Sequence, residues 1–321
     1  MCSAAVVNAD RVRFSKEIAA RNLKPLWERV MRVKPGTAAV PALWRWEEVR
    51  PLLMRACELI TAKEAERRVL MLENPALPGT TFITPALFAG VQAILPNEIA
   101  PTHRHTPNAL RFVMEGEGAY TAIDGERIAM RPGDFVVTPG WTWHDHGNLG
   151  TKPVVWLDGL DTAFANLFGA HFREDYPEET QAMPRPAGVS SVLSYPYERT
   201  REALEKLAKG GEPDPSHGWR LRYTDRATGR DPFPTMAVFM QWLPRGFAGR
   251  EYRSTDGTVF CVAEGQGSIA VGETHFEFAP KDVFVVPSWE RYRFAAKTDC
   301  VIFSYSDRAA QEVLGFWREE S

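Results

Sequence analysis

The sequence predicts a mainly β protein made of two related barrels behind a helical N-terminal segment, and three observations carry that expectation. From Leu110 to Asn148, short apolar runs alternate with Gly, Pro and Asp breaks, the pattern of half-buried strands joined by tight turns. Near residue 265 the chain repeats wording first met near residue 116. Ahead of both, apolar residues recur at helical spacing.

The elements follow in order. Residues 1–72 read as a helical arm: Trp46–Ile60 sets Val49, Leu52, Leu53, Ala56, Leu59 and Ile60 near the 3.6 period, with Pro51 expected in the first turn. Thr61-Ala62-Lys63-Glu64 matches a capping box, and Val69–Leu72 is strand-like. Residues 73–170 hold an antiparallel meander. Its strands are Leu110–Met114, Ala119–Ile123, a run around Arg127–Met130, and Phe135–Val137; its turns are Asp124-Gly125 and Arg131-Pro132-Gly133-Asp134. Residues 171–234 are rich in proline (177, 184, 186, 196, 213, 215, 232, 234) and read as a linker with one helix, Glu198–Lys209, stopped by Gly210 and Gly211. Residues 235–308 restart the first pattern. Ala263-Glu264-Gly265-Gln266-Gly267 answers Met114-Glu115-Gly116-Glu117-Gly118, and Lys281-Asp282-Val283-Phe284-Val285-Val286-Pro287 answers Gly133-Asp134-Phe135-Val136-Val137-Thr138-Pro139. A duplicated barrel explains both. A C-terminal helix is expected over 309–321.

Composition narrows the function. With 321 residues, 44% hydrophobic and 25% charged, the chain fits an ordinary globular protein. A formal net charge of −3 provides no basic field for a polyanion, so nucleic acid is not expected as a partner. No run of about 18 apolar residues suggests membrane insertion, and Met1–Phe14 lacks the apolar core of an export signal, so the cytoplasm is the expected location. Cys2, Cys57, Cys261 and Cys300 are scattered, without a CxxC pair, and are expected to be reduced thiols.

Four of the seven histidines form two His-x-His pairs, His103 with His105 and His144 with His146. On strands, residues i and i+2 share a face, and imidazole is a common transition-metal ligand. A meander that folds back on itself would bring the pairs together around a metal. Parity alone does not choose three ligands among the four; it turns Asp145 the other way. In the second barrel the corresponding positions are Tyr252, Ser254 and Tyr292, so metal is expected only in the first.

The run His103-Arg104-His105-Thr106-Pro107-Asn108-Ala109-Leu110-Arg111-Phe112, with Glu115-Gly116-Glu117-Gly118 and Trp141-Thr142-Trp143-His144-Asp145-His146-Gly147, resembles the cupins. More narrowly it is similar to the bicupin family of gentisate 1,2-dioxygenases, which includes salicylate, substituted-salicylate and 1-hydroxy-2-naphthoate dioxygenases. The resemblance implies two barrels and one Fe(II) per chain in the N-terminal barrel. It assigns His103, His105 and His144 to the iron and leaves His146 as an acid–base group. It also implies ring cleavage of an aromatic hydroxycarboxylate by O2, and a homotetramer.

One departure from the broader cupin pattern matters. Ala109 and Leu110 stand where many cupins place a glutamate ligand, and three neutral imidazoles on an octahedral ion leave three positions for a chelating substrate and dioxygen. Arg111 is expected to face inward and meet a substrate carboxylate, with an internal salt bridge as its other reading. Gln92 and Gly90 on the preceding strand, Arg67 or Arg68, and Asp158 are further pocket candidates. Phe88, Phe112, Trp141 and Trp143 are aromatic neighbours, of which Phe88 stands where the family suggests tryptophan. Gentisate and a 5-substituted salicylate such as 5-nitrosalicylate are expected equally. A cupin that binds a small carboxylate without turnover, and a zinc, nickel or manganese hydrolase or isomerase, are the alternatives.

Overall fold

The strand Ala109–Glu115 is buried on both faces, with Arg111 its one fully buried charge, because one face lines a barrel and the other packs against a second barrel. A computed structural model describes residues 4–183 and 192–321. Met1 to Ser3, with Cys2, and residues 184–191, with Pro184 and Pro186 of the linker, lie outside the described residues. The chain divides into residues 1–35 and a unit of residues 36–321 that contains both barrels. In the first part the helix Ala4–Ala19 is followed by a short turn of 3-10 helix, Leu26–Glu28.

Each barrel is a pair of antiparallel sheets. In the first, a six-stranded sheet runs in the order Ser194–Tyr195, Phe135–Thr138, Ala109–Glu115, Val154–Leu160, Phe88–Ile94 and Arg68–Met71. Its partner runs Arg173–Asp175, Ile99–His105, His144–Asn148, Ala119–Ile123 and Glu126–Ala129. The Asp124-Gly125 turn has positive φ at both residues, +42° and +79°, as the Asp-Gly signal requires. The second barrel repeats the large sheet as Ala42–Trp44, Val283–Val286, Thr258–Glu264, Cys300–Ser306, Ala237–Leu243 and Trp219–Arg222. Its small sheet is Thr274–Phe278, Gly267–Val271 and Tyr292–Ala296. The chain is therefore mostly β, with the cupin architecture twice over.

The two six-stranded sheets face each other across one apolar core. Phe112 of the first barrel stacks on Phe303 of the second at 4.3 Å, and Phe135, Val155 and Leu157 meet Val238, Met240 and Tyr305 there. Side chains pointing the other way fill the barrels: Val113, Met130 and Trp156 in the first, Phe260, Phe284 and Phe294 in the second. Burial of each such aromatic contributes roughly 1.5–3 kcal/mol.

Three segments are more integrated than the sequence suggests. Residues 36–72 of the expected arm belong with the barrels: Ala42–Trp44 joins the second barrel's sheet, and the helix Trp46–Leu59 buries Leu53 in the common core. Pro51 falls beyond the first turn of this helix, on its exposed side next to exposed Glu47, where water can reach the carbonyl that proline leaves unbonded. The linker supplies edge strands to both barrels, since an open sheet edge recruits whatever strand lies near it. The C-terminal helix is only Arg308–Val313; Gly315, at φ +72°, turns the tail so that Glu319–Glu320 pairs with Arg253–Ser254. The Thr61 capping box is formed, with both the Thr61 side chain and the Glu64 carboxylate engaged. Cys57, Cys261 and Cys300 are free thiols.

Candidate metal centre

The strand Ile99–His105 carries His103 and His105 on one face and pairs with His144–Asn148, so that His103 lies directly opposite His144. The ligand atoms of His103, His105 and His144 fall within 4.8 Å of one another. The rings are separated by 4.3–5.2 Å. No carboxylate joins them, and no other group of three or more His, Cys, Asp or Glu side chains among the described residues has this geometry.

The protein also sets which nitrogen each ring offers. His105 Nδ1 donates to the Pro107 carbonyl at 2.8 Å, and His144 Nδ1 to the Thr142 carbonyl at 2.9 Å, which leaves Nε2 as the free electron pair of both. His144 Nε2 is buried without a partner, an arrangement that costs free energy unless a cation completes it. At His103 the Arg67 guanidinium donates to Nδ1 at 2.6 Å and to the Pro101 carbonyl at 2.9 Å. A neutral imidazole ligated through Nε2 must carry its proton on Nδ1, so ligation at His103 displaces Arg67 from that nitrogen. Burial, with the charge of Arg67 next, holds the His103 imidazolium down to about 2; burial likewise holds His105 down to about 4 and His144 well below its ordinary range. All three rings are neutral at pH 7, the form that binds a metal. Three neutral nitrogen donors, His103 and His144 buried and His105 half-buried, suit a transition-metal ion.

The remaining candidates surround this triad unequally. His146, fully buried, sits 5.9 Å from the His144 ring and outside the triad. Its Nδ1 is 3.0 Å from Thr121 Oγ1, its ring lies 5.5 Å from Trp156, and its Nε2 is unpaired. Arg111 is 4% exposed: Nη1 donates to Thr138 Oγ1, and Nε lies 3.5 Å from Asp158 Oδ1. Burial lifts the Asp158 carboxyl to about 6, against the opposing pull of Arg111 and of the Trp156 Nε1 hydrogen bond at 3.0 Å. The charges of Arg67 and Arg111 both disfavour protonation of His103, and that of Arg111, after burial, lowers the Arg67 guanidinium. Arg68 faces elsewhere, in an ion pair with Glu98.

Phe88, Gly90 and Gln92 share one face of their strand by alternation, and Gly90 lies opposite Asp158 in the ladder. A Cβ at Gly90 would come within 2.5 Å of Val69 Cγ1 and 3.1 Å of the Phe88 ring, so only glycine lets those side chains approach. Phe112 belongs to the inter-barrel core. Trp141 and Trp143 flank the Arg104 guanidinium at 4.4 and 4.3 Å, and Arg104 pairs with Glu174 at 2.6 Å.

Several participants were missed in the sequence because they depend on register or on the linker. Thr121 and Thr138 orient His146 and Arg111. Asp145 turns outward as expected, and its Oδ2 accepts from Thr102 and from linker residue Gln181, each at 2.9 Å, bracing the strand between two histidines. Arg173–Asp175 covers the open edge of the ligand strand residue for residue, from Arg173 opposite His105 to Asp175 opposite His103.

Comparison with known proteins agrees with this geometry. A profile of the cupin domain matches residues 90–159. The chain is 48% identical to gentisate 1,2-dioxygenase 1 of Aquipseudomonas alcaligenes, covering 98% of this chain and 97% of the relative. It is 32% identical to 5-aminosalicylate 1,2-dioxygenase of a Comamonas species, covering 95% and 89%. In three dimensions it matches the salicylate 1,2-dioxygenase of Pseudoaminobacter salicylatoxidans, crystallised as adducts with gentisate, at a TM-score of 0.88 and 31% identity over 97% of this chain and 93% of the other. These relatives favour catalysis over a non-catalytic carboxylate-binding cupin or a hydrolase. A histidine triad without a carboxylate, set in the first of two barrels and matched nearly end to end by such relatives, places the chain in the gentisate and salicylate 1,2-dioxygenase family of bicupin ring-cleaving enzymes.

Proposed function

We propose that the chain holds one Fe(II) through His103, His105 and His144 and cleaves a 2-hydroxybenzoate between its carboxylate-bearing and hydroxyl-bearing carbons, with gentisate as the preferred substrate. The observation that carries this reading is the charge balance beside the triad. Two guanidiniums, Arg67 and Arg111, face the site, and among the described residues Asp158 is the one carboxylate in an ion pair with either, so a substrate carboxylate would supply the negative charge that this balance lacks. Preference for gentisate rests on the 48% identical relative of that activity.

Iron, when bound, supplies the path by which ring electrons reach O2, and both oxygen atoms end in a ring-opened oxo-dicarboxylate. The side chains do the rest. Arg111, fixed by Thr138 and Asp158, receives the carboxylate. Arg67, once released from His103, is free to join it. Gln92, 3% exposed, donates an amide hydrogen bond from the adjoining strand. His146 keeps an unpaired Nε2 for a proton in transit while Thr121 holds the opposite side of its ring. Phe88 and Gly90 shape the wall against the ring.

The wider reading places the enzyme in the cytoplasm as a homo-oligomer, a tetramer. Among the described residues no helix is long and apolar enough to cross a membrane. Leu26, Trp27, Val30, Met31 and Val33 are 71–97% exposed, an apolar segment of the kind that association covers.

The test is oxygen uptake after anaerobic loading with Fe(II), using gentisate, salicylate, 5-aminosalicylate, 5-nitrosalicylate and 1-hydroxy-2-naphthoate. Gentisate should consume one O2 per ring with the highest kcat/KM. No uptake with any of the five eliminates the dioxygenase reading, and faster turnover of a salicylate eliminates the preference.

A further inference from the structure

The second barrel carries no metal triad, yet one of its side chains reaches the wall of the first barrel's site. Tyr305, on the strand Cys300–Ser306, is fully buried in the common core, and its hydroxyl donates to the Phe88 carbonyl at 2.8 Å. Burial, followed by the charge of Asp158, holds the phenol well above its ordinary range, so the hydroxyl keeps its proton and remains a donor. The ring passes through a gap left by a glycine. A Cβ at Gly159 would come within 2.6 Å of Tyr305 Cζ and 2.8 Å of Cε2, so any side chain there would push the ring away. Gly159 follows Asp158, the partner of Arg111, and lies opposite Ala89 in the ladder. The tyrosine therefore sits over the seam between the strand that carries Asp158 and the strand that carries Phe88, Gly90 and Gln92.

Phe88 is the point on that strand where such a tie has most effect. The ladder to Arg68–Met71 ends at Gly90, and Leu160, opposite Phe88, is the last residue of its own strand. Strand ends held by few ladder bonds are the first to open. The Phe88 ring lies over Gly90, where a Cβ would stand 3.1 Å from its Cε1 and Cζ. A shift of the Phe88 backbone thus moves the surface that the substrate ring would meet.

We propose that Tyr305 is a positioning residue that sets substrate choice: its hydroxyl pins the Phe88 end of the strand and keeps the wall closed against a substrate with a second fused ring. The proposal rests on the reading of Phe88 and Gly90 as that wall. The second barrel supplies no atom to the reaction but limits the size of what enters.

The test compares the unaltered full-length chain, loaded with Fe(II), with Tyr305→Phe and Tyr195→Phe, using gentisate and 1-hydroxy-2-naphthoate. Tyr195 is the control: it is buried in the same core and donates to the Thr224 carbonyl at 2.8 Å, but from the strand at the opposite border of the sheet. Tyr305→Phe should keep its iron and raise kcat/KM for the naphthoate relative to gentisate at least about threefold, within the contribution of one hydrogen bond. Tyr195→Phe should leave that ratio unchanged. Anaerobic dissociation constants of the two compounds, read from quenching of tryptophan fluorescence, should shift in the same sense. They also separate two failures: no oxygen uptake by the unaltered chain eliminates the dioxygenase reading, while the binding ratio still decides the role of Tyr305. If Tyr305→Phe does not fold, Gly159→Ala, whose methyl displaces the ring, takes its place with the same expected shift. A binding ratio that stays unchanged, an equal change in Tyr195→Phe, or no binding of either compound overturns the proposal.

Discussion

Arg111 separates two roles that a buried cation can have. It is paired with Asp158 at 3.5 Å, as the internal salt-bridge reading expected, yet its hydrogen-bonding capacity is not used up, since Nε has no partner meeting hydrogen-bond geometry. Arg111→Gln should therefore keep its iron while the KM for gentisate rises roughly 10- to 100-fold, the range of one lost charge-assisted contact. His144→Ala should lose the metal outright. Metal analysis beside steady-state kinetics decides this, and iron loss in both variants would make Arg111 structural. At this scale the sequence reveals the ligand positions because parity and residue type suffice for a His-x-His strand. It does not reveal Thr121, Thr138 or Trp156, whose contacts depend on which rungs of neighbouring strands coincide, nor the hold of Arg67 on His103, which depends on a strand edge far away in the chain.

Among the elements, two helices are anchored in the same unusual way. The helix Tyr197–Gly210 begins with the Tyr197 N–H donating to Asp134 Oδ1 at 2.9 Å, and Trp46–Leu59 begins with the Trp46 N–H donating to Asp282 Oδ1 at 2.8 Å. In each case the other carboxylate oxygen closes its own turn, through Arg131 N or Ala279 N. The aspartate of the repeated Gly-Asp or Lys-Asp turn thus takes the place of an N-cap residue borrowed from elsewhere in the chain. Asp134→Ala should lower stability by about 1–3 kcal/mol, the cost of leaving such a donor unsatisfied, without altering iron content; the urea midpoint measures it, and an unchanged midpoint would show the cap to be idle. The turns themselves are legible in the sequence. Their second use is not, since no local pattern says that a helix 63 residues later, or one 236 residues earlier, will start there.

For the molecule as a whole, pH dependence in the mildly acid range is a balance: the histidines that burial keeps neutral gain stability as pH rises, whereas the contribution of Asp307 falls. Burial, reinforced by Asp256, lifts its carboxyl to about 7 from an unfolded value of about 3.9. Between those limits the folded chain holds a proton that the unfolded chain releases. The stabilisation is complete below about pH 4 and is lost as pH climbs through about 7. Asp307→Asn should remove this contribution, making the slope of unfolding free energy across that window more positive by about 1.4 kcal/mol per pH unit. An unchanged slope in denaturant titrations would refute the assignment. The double barrel is visible in the sequence because duplicated turns survive as near-identical words. What the words hide is the trade of strands between the copies. Ala42–Trp44 closes the sheet of the barrel that comes second, and Ser194–Tyr195 closes the sheet of the one that comes first.

That trade makes the enzyme hard to divide. A gene cut in the linker would give two fragments, each missing a border strand that stayed with its sibling and each baring the greasy wall along which Phe112 and Phe303 meet. The metal-free barrel is therefore a permanent lodger: although it binds no iron, evolution cannot discard it without dismantling the neighbour that does.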